Sequence, residues 1–182
     1  MYTMQAIWGR IEAWLSNYAP ELLENLLPGV DDDDIQEIEA ELGYMFPEDI
    51  RASLRLHNGT IDNFADIWSL LNIDEIAEAQ QRLSSENSLK RASWIPLVRD
   101  GCGDFLCVDM QSEADEPLGQ IVHYDRETVS IWVASSFQAL LSAFADHLEM
   151  GKYALDEIGR LHSQELLFDR PQLPPGSKLK YY

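Results

Sequence analysis

Between residues 94 and 133 four apolar runs follow one another with only turn and loop residues between them, and no other feature constrains the fold as much. The runs, at 94–99, 105–110, 120–124 and 129–133, have strand length, and the gaps carry no helical periodicity. Asp100-Gly101-Cys102-Gly103-Asp104 joins the first two and has the glycine content of a hairpin turn. An acidic loop at 111–119 separates the second and third, and a turn at 124–128 precedes the fourth. Strands that succeed one another without crossover helices imply an antiparallel meander. The expected class is therefore α+β, with a mostly antiparallel sheet of about four to six strands packed with helices, rather than a doubly wound fold.

Helical periodicity flanks this block. Met4, Ile7, Trp8, Ile11, Leu15 and Tyr18 form one stripe of an N-terminal amphipathic helix. Its other face carries Gln5, Gly9, Glu12 and Ser16 rather than the Lys and Arg of a membrane-surface helix, which assigns the stripe to the core. Pro20 and Pro28-Gly29 bracket a short helical piece at 21–27. A second helix follows Asp31-Asp32-Asp33-Asp34, buries Ile35, Ile38 and Leu42, and stops at Gly43. Pro47 opens a third, with Ile50, Leu54 and His57 facing inward and Asn58-Gly59 at its end. A short strand is expected at 67–71, then a helix at 74–83 with an acidic cap, and a polar loop at 84–88.

After the meander, Ser135 and Gln138 fit a capping box at the head of a helix over 136–150, which Gly151 ends. A short final helix is expected within 155–168. Pro171, Pro174, Pro175 and Gly176 make 169–182 an extended tail, so the chain reads as one domain, 1–168, plus that arm. The PxxP spacing in the arm is too common to imply a docking partner. No internal repeat is visible.

Charge narrows the function. Thirteen Lys and Arg stand against 32 Asp and Glu, a formal net charge of -19. Direct nucleic-acid binding, which needs cations to displace phosphate counterions, is excluded on this balance, and an anionic membrane surface is disfavoured. A cationic protein partner is favoured. Residues 21–50 hold eleven acids and no Lys or Arg; residues 100–125 hold seven more, again without a base. A concentrated field of this kind speeds encounter with a basic protein, whereas a diffuse coat would only solubilise. Asp31, Asp32, Asp33, Asp34, Glu37 and Glu41 are the candidate steering charges, and Tyr44 a candidate aromatic anchor. Glu113, Asp115 and Glu116 are set aside because their loop has no readable placement.

Catalytic and metal signatures fail one by one. Counting an EF-hand loop from Asp31 puts Gln36 at the sixth position and Leu42 at the twelfth, where glycine and glutamate are required. Cys102 and Cys107 are too few for a disulfide framework and lack CxxC spacing; with His123 they offer a thiol and a base, but a free structural thiol is the commoner case. His57, His147 and His162 show no paired-ligand spacing, and there is no GxSxG, Walker loop or dinucleotide fingerprint. Asp104 and Asp109, at odd spacing on a strand, would face opposite sides. No cofactor, no metal and no enzymatic activity are expected.

The N-terminus lacks a basic lead, and Arg10 and Glu12 interrupt any apolar core of a signal peptide. The uncharged stretch 129–145 is short, carries several Ser and Gln, and changes period from strand to helix, so it is no membrane span. The expected location is the cytoplasm.

Leu42-Gly43, Phe46-Pro47-Glu48-Asp49, Leu54 and His57-Asn58-Gly59, followed in order by Trp68, Trp94-Ile95-Pro96, Gly103-Asp104, Asp109, Gly119 and Ser136-Phe137 with Leu141, resemble the motif series of the Smi/Knr-like branch of the SUKH superfamily. The resemblance spans roughly 28–151. Ile50 and Cys102 depart from the residues usual there. The motif residues also read as architecture: Gly43 and Gly59 as helix ends, Pro47 with Phe46 as the hinge between two helices, Gly103 within the hairpin turn, Asp104 as an acceptor for turn amides, and Trp94 and Trp132 as core residues. The resemblance implies a binding protein. Bacterial members of the superfamily are inferred to be immunity proteins that block toxin domains, many of them nucleases, and fungal members regulate cell-wall assembly. The leading expectation is a protein that neutralises a basic toxin domain through its acidic surface; the alternative is a regulatory interaction module.

Overall fold

The computed structural model describes residues 2–85, 93–111, 118–126 and 130–163. Its helices are α1 (Met4–Tyr18), α2 (Pro20–Glu24), α3 (Asp32–Leu42), α4 (Glu48–Leu54), α5 (Ile73–Ser85) and α6 (Phe137–Glu149). Its strands are β1 (Leu26–Pro28), β2 (His57–Thr60), β3 (Ser69–Leu70), β4 (Trp94–Arg99), β5 (Phe105–Asp109), β6 (Ile121–Tyr124), β7 (Ile131–Ala134), β8 (Tyr153–Leu155) and β9 (Leu161–Ser163).

The meander forms as its sequence implies. Strands β3 to β7 make one antiparallel five-stranded sheet in chain order, and β1–β2 and β8–β9 are separate antiparallel pairs. Every residue of β5 is buried, so the middle of the sheet is covered on both faces. That is why β5 reads as a continuous apolar run rather than a strict alternation. Pro96, an awkward residue inside a strand, sits where the β4–β5 register slips between Pro96 and Val98.

Helix α1 begins at Thr3, whose side chain accepts the Ala6 N–H, and buries Met4, Ile7, Trp8, Ile11 and Leu15. Tyr18 lies on the same stripe by angle, yet it is 63% exposed because the helix has run past the core; its ring rests on Trp14. Arg10 ties α1 to α6 through Asp146 and both carboxylate oxygens of Glu149, at 2.6 to 2.8 Å.

The structure corrects several local expectations. The helical piece at 21–27 splits: α2 stops at Glu24, and 26–28 pairs with β2, a partner too distant in sequence for local periodicity to register. The third helix ends at Leu54 rather than at 58–59, and His57, Asn58 and Gly59 lie in β2. Gly59 does not end a helix. It has φ +82°, and a Cβ there would stand 2.6 Å from the Asn72 nitrogen. Helix α5 is headed not by an acidic cap but by Asn72 and Glu75, each accepting the other's backbone N–H. Ser84 and Ser85 belong to α5, while the rest of the loop placed at 84–88 lies outside the described residues.

Ser136, not Ser135, caps α6 by accepting the Ala139 N–H. The side chain of Gln138 reaches Tyr2 instead of returning to the cap. In the described part of 155–168, a hairpin replaces the expected helix. Asp156 accepts the N–H groups of Ile158 and Arg160, and Gly159 takes φ +80°, a turn geometry that outcompetes one weak helical turn. The tail expected at 169–182 lies outside the described residues.

Candidate functional site

The aspartate run begins α3 and divides its work. Asp31 is the N-cap: its Oδ1 accepts the N–H groups of Asp33 and Asp34, both at 3.0 Å. At the other end Gly43 takes the left-handed conformation, φ +75°, and its N–H donates to the Glu39 carbonyl. With about 100° of rotation per residue, Ile35, Ile38, Glu39 and Leu42 share the inward arc, while Asp33, Asp34, Glu37 and Glu41 share a neighbouring outward arc of about 100°. All four outward acids are exposed.

Neutralisation is uneven along the helix. Asp32 pairs with Arg55 at 2.8 Å, and Arg55 also holds Glu48 at 2.7 Å. Among the described residues Asp33, Asp34, Glu37 and Glu41 have no basic side chain at ion-pair distance. Of the six candidate steering charges, one is a cap and one is paired, leaving four on one arc that have no ion-pair partner among the described residues. Glu39 faces inward, is 6% exposed, and accepts the Phe46 N–H at 2.7 Å, so it fixes the turn that carries the chain into α4.

Tyr44, proposed as an exposed anchor, is half-buried and packs against the core; the turn from α3 instead exposes Met45, at 72%. Pro47 caps α4 through its carbonyl, which accepts the Ile50 N–H, and Gly119 approaches it so closely that a Cβ would lie 3.1 Å from Pro47 Cγ. Trp94 is fully buried; Trp132 is only half-buried.

Among the described acids of the second stretch Asp109 is buried and Asp100, Asp104 and Asp125 are half-buried. Asp100, not Asp104, gathers the turn amides, accepting from Cys102, Gly103 and Asp104 at 2.7 to 3.0 Å. It precedes the turn and can reach forward to all three. Gly103 occupies that turn with φ +118°. Asp104 accepts the Arg126 N–H and lies 3.5 Å from His123. Asp109 is buried and accepts from the Ser93 hydroxyl and the Gln111 N–H. Asp104 and Asp109 flank opposite ends of β5, so they form no carboxylate pair. Glu113, Asp115 and Glu116 lie outside the described residues.

The geometry offers no thiol–imidazole pair at Cys107. His123 pairs across the ladder with Leu106, which puts Cys107 on the other face of the sheet. Burial pushes the Cys107 thiol well above its ordinary range, so it stays protonated; Cys102 is exposed. His57 and His162 lie on strands rather than helices. No group of three or more His, Cys, Asp or Glu among the described residues is placed to hold a metal ion. None of the helices searched among those residues is long and apolar enough to cross a membrane.

Comparison with known proteins places this geometry in a lineage. Residues 29–143 match the profile of the SMI1 / KNR4 family (SUKH-1), a segment that contains all of α3 and the whole meander. The chain is 23% identical over 219 residues to the "KNR4/SMI1 homolog 2" of Debaryomyces hansenii, covering 85% of this chain and 37% of that protein. It is 26% identical over 208 residues to the "Glucan synthesis regulatory protein" of Neurospora crassa, covering 82% and 39%. It is 22% identical over 206 residues to the "Cell wall assembly regulator SMI1" of Saccharomyces cerevisiae, covering 81% and 41%. The chain thus spans about two fifths of the length of these curated relatives.

Proposed function

The chain belongs to the SMI1 / KNR4 (SUKH-1) family, and from that premise we propose that it is a non-enzymatic, regulatory protein-recognition domain whose α3 face receives a basic partner. The observation that carries the reading is the arc of Asp33, Asp34, Glu37 and Glu41, exposed together on one side of a helix that the core holds rigidly from the other. In a chain of net charge -19 such an arc raises the rate at which a cationic surface arrives and orients it on arrival. The names of the relatives, a glucan synthesis regulatory protein and a cell wall assembly regulator, support a regulatory role over toxin neutralisation.

Neutralising a toxin is the second reading, and the same arc favours it. A nuclease must be basic where it holds its phosphodiester, so an acidic inhibitor fits that cleft. Two experiments separate the readings. The tagged chain is used to capture proteins from its own cells, beside a variant carrying Asp33→Asn, Asp34→Asn, Glu37→Gln and Glu41→Gln. Basic endogenous partners that the variant loses support the regulatory reading; identical capture by both chains counts against the α3 face. Protection of cells that express a toxin from a neighbouring gene supports the second reading.

A further inference from the structure

Four large apolar side chains stand exposed near α2 and the β8–β9 turn: Tyr18 at 63%, Ile61 at 68%, Ile158 at 67% and Leu155 at 38%. They line two adjoining hollows of about 390 and 410 Å³ that share Glu21, Leu22, Ile158 and Gly159, so the apolar surface is continuous. A patch of this kind, rimmed by polar groups, is the usual mark of an interaction site. Among the described residues its rim carries Glu21, Glu24, Asp62 and Glu157 against one base, Arg160.

The walls are held in place. The Asn25 side chain donates to the Asp62 and Asn63 carbonyls and accepts the Asp62 N–H. The hairpin is fastened by the Asp66 N–H to the Leu161 carbonyl at 2.7 Å and by the Ser163 N–H to the Asp66 carboxylate at 2.9 Å. A surface already ordered loses little entropy on binding. Except for Ile61, Asp62 and Asn63, the lining residues lie outside the segment matched by the family profile, so most of the groove is built from this chain's own flanks.

We propose that this groove is a second docking surface, separate from the α3 face, which takes a protein segment presenting apolar side chains flanked by Lys or Arg. The apolar floor seats the anchors, and the four rim carboxylates receive the cations. A second copy of the chain would bring like-charged rims together, which disfavours self-association. An anionic bilayer meets the same repulsion.

The test uses a synthetic amphipathic Leu/Lys peptide, with a Ser/Lys peptide of equal charge and a Leu/Glu peptide as controls, titrated into the full chain. Affinity is read by fluorescence anisotropy and location by hydrogen exchange. The Leu/Lys peptide is expected to bind, to protect 18–25 and 155–160, and to bind about fivefold or more weakly to the Ile158→Ser chain. Because Ile158 is exposed, that variant is expected to keep its fold by circular dichroism. The four-acid α3 variant should bind the peptide within about twofold of the parent, so failure here is distinguishable from failure of the α3 reading. Equal binding of the Ser/Lys peptide, protection on α3 instead, or an unchanged Ile158→Ser affinity overturns the proposal. So does a dimer that Ile158→Ser dissociates, or opening of 18–25 by Lys178→Ser with Lys180→Ser in the 169–182 tail, which would give the groove to another copy or to the tail.

Discussion

His57 Nε2 lies 2.6 Å from Glu12 Oε1, joining a strand of the family segment to a helix that precedes it. The imidazole also packs on Trp8, ring centroids 4.6 Å apart, and the Trp8 indole N–H donates to the Ser53 hydroxyl at 2.9 Å. The N-terminal helix is therefore keyed to the family's His-Asn-Gly motif by specific polar contacts as well as by apolar burial. Glu12→Ala is expected to lower unfolding free energy by about 1–2 kcal/mol, and Ser53→Ala by about 1–3 kcal/mol because it leaves a buried indole N–H without its acceptor. Urea unfolding of both variants checks this, and parental midpoints would contradict it.

Two glycines in left-handed conformations should answer differently to alanine. A Cβ at Gly43 meets open space, so Gly43→Ala bears only the conformational cost, about 1–2 kcal/mol. A Cβ at Gly59 meets the backbone of Leu70, Leu71 and Asn72 at 2.6 to 2.9 Å, so Gly59→Ala must also displace β2 from the entry to α5. Its loss should exceed that of Gly43→Ala by about 2 kcal/mol or prevent folding. Equal unfolding midpoints would refute the close approach.

The cysteines give a direct probe of the sheet. In the native chain one thiol, Cys102, should react promptly with a thiol reagent at pH 8, and both should react in denaturant. The raised pKa of Cys107 has a defined sign. The unfolded thiol loses its proton above about 8.5 while the native thiol keeps it, so stability falls as pH rises past that value. Cys107→Ala should remove that part of the alkaline slope.

Acid acts through the α1–α6 tie. Hydrogen bonds from Arg10 hold the Glu149 carboxyl below its ordinary value. A depressed carboxyl contributes stability above about pH 4.3, and the contribution disappears as pH falls through the native value. The stability gap between the parent chain and Glu149→Gln should therefore be open at pH 7 and closed near pH 2. Glu149 is half-exposed, so the gap should be small and should shrink in salt.

Features written by local chemistry were legible in the sequence. Apolar runs separated by glycine turns gave away the meander, and Gly43 marked the end of α3. The sequence places the start of that helix after the aspartate run, whereas Asp31 alone is the cap and the other three lie in the helix. Long-range partners hid the rest. Residues 26–28 became a strand because β2 lies beside them, and His57 left its helix for the same pairing. Tyr18 kept its helical phase but lost its cover, which concealed the apolar groove. The six steering charges read as one group in the sequence, because the pairing that removes Asp32 from the group depends on Arg55, a residue 23 positions away.

The central claim is that unpaired carboxylates on one arc of α3 steer a basic partner. Stopped-flow association of a captured partner with the parent chain and with the four-acid variant, at about 50 and 500 mM salt, tests it most directly. The parent's association rate should fall about tenfold or more between the two salts, with the variant slower at low salt and less sensitive to it. Identical rates for the two chains, unaffected by salt, would contradict the claim.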